Sequence, residues 1–365
     1  MSKLHDLHAA GQSVWLDFIR RDMIGSGELA SLVTDGIRGV TSNPSIFQQA
    51  IESSDQYDSQ IREILATNPA ATVDEVFEEL AVVDIQGAAD ALREVYDSAD
   101  GDDGFVSLEV SPLLAADTAG TIEAAHRLWN KVDRPNLMVK VPATPQGMPA
   151  IEELTAAGIN INVTLLFALS AYEDAAHAYV RGLERAQNPG SISSVASFFV
   201  SRVDSKADAV LEKIGSEEAL ALRGKVAVAN AKLAYRTYQA IFAGPAFTSA
   251  LNRGARPQRC LWASTSTKNP AYPDVLYVDT LVGPHTVNTL PPATVDAFVD
   301  HGTVDGQALG SNPDVAEAEL QAFRAAGADL DSVTEELLTE GVEKFADSYV
   351  DMMDTLRRKI EIITG

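Results

Sequence analysis

At 365 residues the chain is longer than one ordinary hydrophobic core carries, which leaves two domains or one large α/β barrel with additions. Hydrophobic residues make up 46% and charged residues 22%, the balance of a folded protein and not of a disordered or fibrous one. The 28 Lys and Arg against 52 Asp and Glu leave a formal charge of −24, which repels phosphate backbones and anionic lipid. Nucleic-acid and membrane partners are therefore not expected, and an anionic substrate must find local positive charge. The single cysteine, Cys260, permits no intramolecular disulfide, no apolar run approaches a membrane span, and the polar start MSKLHDLHAAGQS does not read as a signal peptide. The expected setting is the cytoplasm.

Along the chain, short β-branched runs alternate with long helix-period segments. The strand candidates are 13-SVWLDF-18, 38-RGVTS-42, 105-FVSLEV-110, 136-NLMVKV-141, 159–167, 194-SVASFFV-200, 259-RCLWAS-264 and 275-VLYVDTL-281. Helical periodicity covers 72–99, 205–214, 217–242 and the C-terminal 332–363, whereas 244–258 and 265–273 read as loops. About eight strands is the number that closes a (β/α)8 TIM barrel, with additional helices after the second and eighth strands and a C-terminal helical extension; an open doubly wound sheet is the alternative. No repeat, low-complexity tract or linker divides residues 1–365, which favours a single domain.

Side chains alternate faces along a strand, so parity sorts each run. Ser13, Trp15 and Asp17 fall opposite Val14, Leu16 and Phe18, and Ser107 and Glu109 fall opposite Val106, Leu108 and Val110. The same sorting sets Lys140 apart from Val139 and Val141, and Asn162 and Thr164 apart from Ile161, Val163 and Leu165. The polar set belongs inside the barrel, where charges are costly unless paired and where the C-terminal mouth holds the chemistry. A structural plug is one reading of such a set. The other is catalytic: burial disfavours an ammonium, a neutral lysine amine attacks a carbonyl to form a Schiff base, and nearby carboxylates move the protons. His5, His8, His126, His177 and His301 lie in or beside helical stretches without ligand spacing, and no HExxH, Walker loop or GxSxG occurs, so no metal site is expected.

The runs 13-SVWLDF-18, 40-VTSNPSIF-47, 107-SLEVSP-112, 137-LMVKVPATPQG-147, 158-GININVTLLF-167 and 194-SVASFFVSRVD-204 resemble the strand motifs of the transaldolase family, in that family's order. The C-terminal helical part and 262-WASTSTKNPAY-272 are similar to the family's longer bacterial branch. The resemblance implies that Lys140 is the Schiff-base lysine, Asp17 the base that takes the hydroxyl proton, and Glu109 an acid/base acting through a water that Thr164 helps hold. It implies that Asn43, Asn162 and Ser197 bind the dihydroxyacetone part of the substrate, that Phe199 lines the pocket and that Arg202 binds phosphate. Ser264 fits the family serine. Where shorter members carry a second phosphate-binding arginine, this chain offers Lys268, an ammonium that serves phosphate as a point charge.

The implied reaction moves dihydroxyacetone from sedoheptulose 7-phosphate or fructose 6-phosphate to an aldose phosphate such as glyceraldehyde 3-phosphate or erythrose 4-phosphate. No metal or organic cofactor is implied, because the lysine imine is the electron sink. The expected partners are sugar phosphates, and the expected assembly is a monomer or homodimer. The rival readings are a Schiff-base fructose 6-phosphate aldolase and a non-catalytic sugar-phosphate-binding barrel.

Overall fold

The computed structural model describes residues 2–364. Eight strands, β1 (Gln12–Leu16), β2 (Val40–Thr41), β3 (Val106–Glu109), β4 (Leu137–Pro142), β5 (Ile161–Leu166), β6 (Ser194–Phe199), β7 (Arg259–Ala263) and β8 (Thr286–Leu290), follow one another round a closed barrel. Every pairing is parallel, and β8 returns to β1. The outward-facing Val14, Leu16, Val139, Val141, Ile161 and Val163 are buried in the core beneath the surrounding helices.

Seven of the eight expected strands form where the β-branched runs stand. The eighth does not: Leu276–Asp279 is a short helix, and the barrel closes with Thr286–Leu290. A short apolar run cannot be told from a buried helical turn by periodicity, and here Val275, Tyr277, Val278 and Leu281 are buried around such a turn. The expected loop 244–258 contains the helix Pro245–Leu251, started by its proline. The helical stretch 72–99 divides at Leu92 into Val73–Ala91 and Arg93–Ser98, with a capping box between Thr72 and Glu75 at its start. The stretch 217–242 divides into Glu217–Leu220 and Val226–Phe242.

The barrel does carry a structural polar plug, at the end opposite the mouth. Asp103 accepts hydrogen bonds from Ser13 Oγ (2.6 Å), Arg38 Nε (2.7 Å) and Trp15 Nε1 (3.0 Å), and lies 3.6 Å from Arg259 Nη2. Burial would raise its pKa, but the Arg259 and Arg38 guanidiniums more than offset this and hold the carboxyl below its ordinary value. Trp15 fills the interior beside Gly39, where an added Cβ would meet the indole at 2.5 Å.

The helix Leu330–Thr364 lies across the C-terminal mouth, contributing Leu337, Gly341 and Phe345 to its lining. It is tied down at several points. Lys206 pairs with Glu336 (2.8 Å) and Glu340, Tyr349 Oη donates to Asp74 (2.7 Å), and Lys359 Nζ donates to the Ser54 carbonyl (2.7 Å). Among the described residues no helix is long and apolar enough to cross a membrane.

Candidate active site

Register does the assembling. In a parallel pair, partnered residues present their side chains on the same face, and Glu109 is partnered with Lys140, which on its other side is partnered with Asn162. Three polar residues from β3, β4 and β5 therefore meet inside the barrel. Lys140 Nζ donates to the Ser42 carbonyl at 3.0 Å and stands 3.6 Å from Glu109 Oε2, with both side chains only 8% exposed. Asn162 Nδ2 donates to Ser107 Oγ (3.0 Å), and Ser197 Oγ donates to Asn162 Oδ1 (2.7 Å), which fixes the orientation of the amide.

Asp17 follows β1 and accepts from Thr41 Oγ1 at 2.7 Å; Thr41 in turn meets Thr289 Oγ1 at 2.7 Å. Burial raises the Asp17 pKa, opposed by the Thr41 hydrogen bond and by Lys140, Arg202 and Lys268. Glu109 is raised by the same cause, opposed by Lys140 and reinforced by Asp17. Carboxyls lifted in this way sit closer to neutral pH, where a group both takes and returns protons. Among the buried side-chain atoms that have no hydrogen-bond partner, two belong to this site, Glu109 Oε2 and Thr164 Oγ1. Thr164 ends the regular part of β5, because the register shifts between Val163 and Leu166 and Leu165 takes a left-handed φ of 61°. Bulges of this kind re-aim side chains next to active sites.

Lys140, Asp17, Thr164, Asn43, Ser197, Phe199, Arg202, Ser264 and Lys268, all anticipated from sequence, line one cavity of about 680 Å³ at the mouth. Asn162 backs it through Ser197. Glu109 reaches it through Lys140 and borders a second, lateral cavity shared with Ser111 and Tyr349. Asn43 also caps the helix Pro44–Glu52, its Oδ1 accepting from the Ile46 N–H at 3.0 Å.

The cationic side of the cavity is built differently. Arg202 opens the helix Ser201–Ile214, and its guanidinium lies 5.2 Å from the Phe199 ring. It does not pair with Asp204, which instead accepts from the Ala227 N–H (2.8 Å) and Tyr277 Oη (2.9 Å) and is pushed up to about 6 by burial. Lys268 Nζ donates to Ser266 Oγ (2.6 Å), and its pKa is lowered by burial and by Arg202 and Lys344. Ser264, at a left-handed φ of 55°, meets Ser201 Oγ at 2.9 Å. Sequence reasoning missed Thr41 as the partner of Asp17, and it missed Lys344 and Phe345 entirely. The Phe345 ring lies 5.9 Å from both Lys140 Nζ and the Arg202 guanidinium carbon. The available signal was the spacing 337, 341, 344 and 345 along one helix face.

A closed (β/α)8 barrel with a lysine and two carboxylates at its C-terminal mouth and cations on its rim belongs to the class of barrel enzymes. A sequence profile of the family described as Transaldolase/Fructose-6-phosphate aldolase matches residues 14–356. The Transaldolase of Thermobifida fusca (strain YX) is 48% identical over 364 residues, 98% of each chain. Transaldolase 1 of Streptomyces coelicolor is 49% identical over 363 residues, covering 98% of this chain and 95% of the relative, and the Transaldolase of Thiobacillus denitrificans is 49% identical over 354 residues, covering 96% and 98%. The chain belongs to the transaldolase/fructose-6-phosphate aldolase family.

Proposed function

We infer that this chain is a transaldolase that carries a three-carbon dihydroxyacetone unit from a ketose phosphate to an aldose phosphate on Lys140. The observation that carries the reading is the buried Lys140 Nζ held between the Ser42 carbonyl and Glu109, with Asp17 on the same cavity wall. The amine attacks the ketose C2 carbonyl to give a carbinolamine, and loss of water leaves an imine. Glu109 hands protons to and from the departing water through a water molecule shared with Thr164, which accounts for their two unpartnered oxygens. Asp17 then takes the C4 hydroxyl proton, the C3–C4 electron pair moves into the imine, and the aldose phosphate leaves. The enamine on Lys140 adds to the aldehyde of the acceptor, Asp17 returns its proton, and hydrolysis frees the new ketose.

Asn43, Asn162 and Ser197 hold the hydroxyls of the three-carbon unit, Phe199 walls it, and Arg202, Lys268 and Ser264 take the phosphate. The electron sink is the protein's own imine, so the scheme calls for no cofactor. We assign the whole chain to one barrel domain acting in the cytoplasm as a monomer or homodimer, with sugar phosphates and not nucleic acid or membrane as its partners.

The test is a transfer assay with fructose 6-phosphate, with and without erythrose 4-phosphate. Formation of sedoheptulose 7-phosphate only with the acceptor supports transfer. Steady release of free dihydroxyacetone without acceptor would make the chain an aldolase, and no turnover in either arm would leave a binding barrel.

A further inference from the structure

Three cations converge on the mouth in a protein of formal charge −24: Arg202, Lys268 and Lys344 of the C-terminal helix. Among the described residues none of the three forms an ion pair. For Lys344 the lack of a partner is informative. An acid one helical turn before a lysine is its natural partner, and here that acid, Glu340, is taken by Lys206 from the helix Ser201–Ile214. Lys344 is close enough to Lys268 to help lower its pKa, after burial and Arg202. Asp17 offsets Arg202 and Lys268 in part, and like charges gathered in excess of their counter-charge are costly unless an anion joins them.

The helix is built to come this close. An added Cβ at Gly341 would stand 3.1 Å from Leu165 Cδ2, so the glycine lets the helix backbone settle onto the bulged end of β5. Leu337, Gly341, Lys344 and Phe345 then share the face that covers the cavity. Phe345 spans the reacting and cationic ends of the site, 5.9 Å from Lys140 Nζ and 5.9 Å from the Arg202 guanidinium carbon.

We propose that Lys344 is a third phosphate-binding cation, so that the C-terminal helix forms one wall of the sugar-phosphate site. The proposal rests on the Lys140 reading above and adds a residue to it. Arg202 and Lys268 reach the phosphate from the segments after β6 and β7, and Lys344 reaches it from the C-terminal helix that lines the same cavity. The dianion thus fastens the helix over the barrel while substrate is bound. Lysine suits the position because a flexible stem brings a point charge to a ligand without fixing a planar geometry.

The experiment compares wild type, Lys344→Ala and Lys344→Arg in two assays: KM and kcat with fructose 6-phosphate and erythrose 4-phosphate, and competitive inhibition by inorganic phosphate. Loss of one charge-assisted contact at an exposed position should raise both KM and the phosphate inhibition constant about fivefold to tenfold in Lys344→Ala, and Lys344→Arg should recover most of the loss. Borohydride trapping of unphosphorylated dihydroxyacetone at Lys140, run on the same proteins, separates the two claims. If Lys140 is labelled but phosphate inhibition is unchanged in Lys344→Ala, the third-cation proposal fails and the imine reading stands. Equal losses for phosphorylated and unphosphorylated donors, without rescue by arginine, would also overturn it, because they would mark Lys344 as support for the helix alone. Absence of label on Lys140 in wild type would remove the reading beneath it.

Discussion

Asp17→Asn separates chemistry from scaffold. The amide keeps nearly the same shape, and its oxygen can still accept the Thr41 Oγ1 hydrogen bond now at 2.7 Å, so the wall of the cavity should be preserved. Only the ability to take a proton is lost. A general base contributes about 10²–10⁴-fold, equivalent to about 2.7–5.4 kcal/mol of activation free energy, so kcat for transfer should fall by that factor with little change in KM. In the proposed scheme the imine forms before Asp17 acts, so donor should still be trapped on Lys140. Stability should move the other way. Burial lifts the Asp17 carboxyl above its ordinary value of 3.8, so ionising it costs the folded state free energy. That cost is absent below pH 3.8, grows as the pH rises towards the raised value and is complete above it. The variant should therefore match or exceed wild type in Tm at neutral pH, with the difference closing towards pH 3.8. Stopped-assay turnover and a thermal melt at several pH values measure both. Near-normal kcat would refute the assignment of the base, and a large loss of Tm at neutral pH would show that Asp17 holds the fold together.

Glu109→Gln should slow imine formation itself by about 10²-fold or more, read as the rate at which borohydride captures donor; normal capture would exclude Glu109 from the hydration steps. Arg202→Ala or Lys268→Ala should raise KM for fructose 6-phosphate about tenfold or more; an equal loss with unphosphorylated donor would assign them to the fold. Asp103→Ala leaves Arg38 and Arg259 facing each other at the closed end of the barrel and should cost about 3–5 kcal/mol without altering KM. Asp103 is held below its ordinary value of 3.8, so the stability it supplies is present at neutral pH and is lost as the pH falls through that lowered value. The wild-type and Asp103→Ala melts should therefore converge in acid.

The interior chemistry was legible because a strand writes its two faces in alternate residues. Lys140 between Val139 and Val141, or Glu109 between Leu108 and Val110, announces a polar inside by parity alone, and the register brings those positions together. The closing strand was less legible. Thr286–Leu290 carries polar residues at three of its five positions, while Val275–Leu281 is the more apolar run and packs as a buried helical turn. The plug escaped notice because Asp103 stands in the acidic loop 100–104, where nothing local distinguishes it from its neighbours. Lys344 and Phe345 escaped because helical periodicity reports that a face is apolar, not what it covers. Their place depends on Gly341 meeting Leu165, a contact between residues 176 positions apart.

Peptide mapping after borohydride reduction shows which lysine carries the imine. With fructose 6-phosphate present, the peptide containing Lys140 should gain the mass of one reduced dihydroxyacetone unit, and Lys140→Arg should abolish the gain because a guanidinium stays protonated and forms no imine. A label on any other lysine, or undiminished labelling and turnover in Lys140→Arg, would contradict the assignment of Lys140.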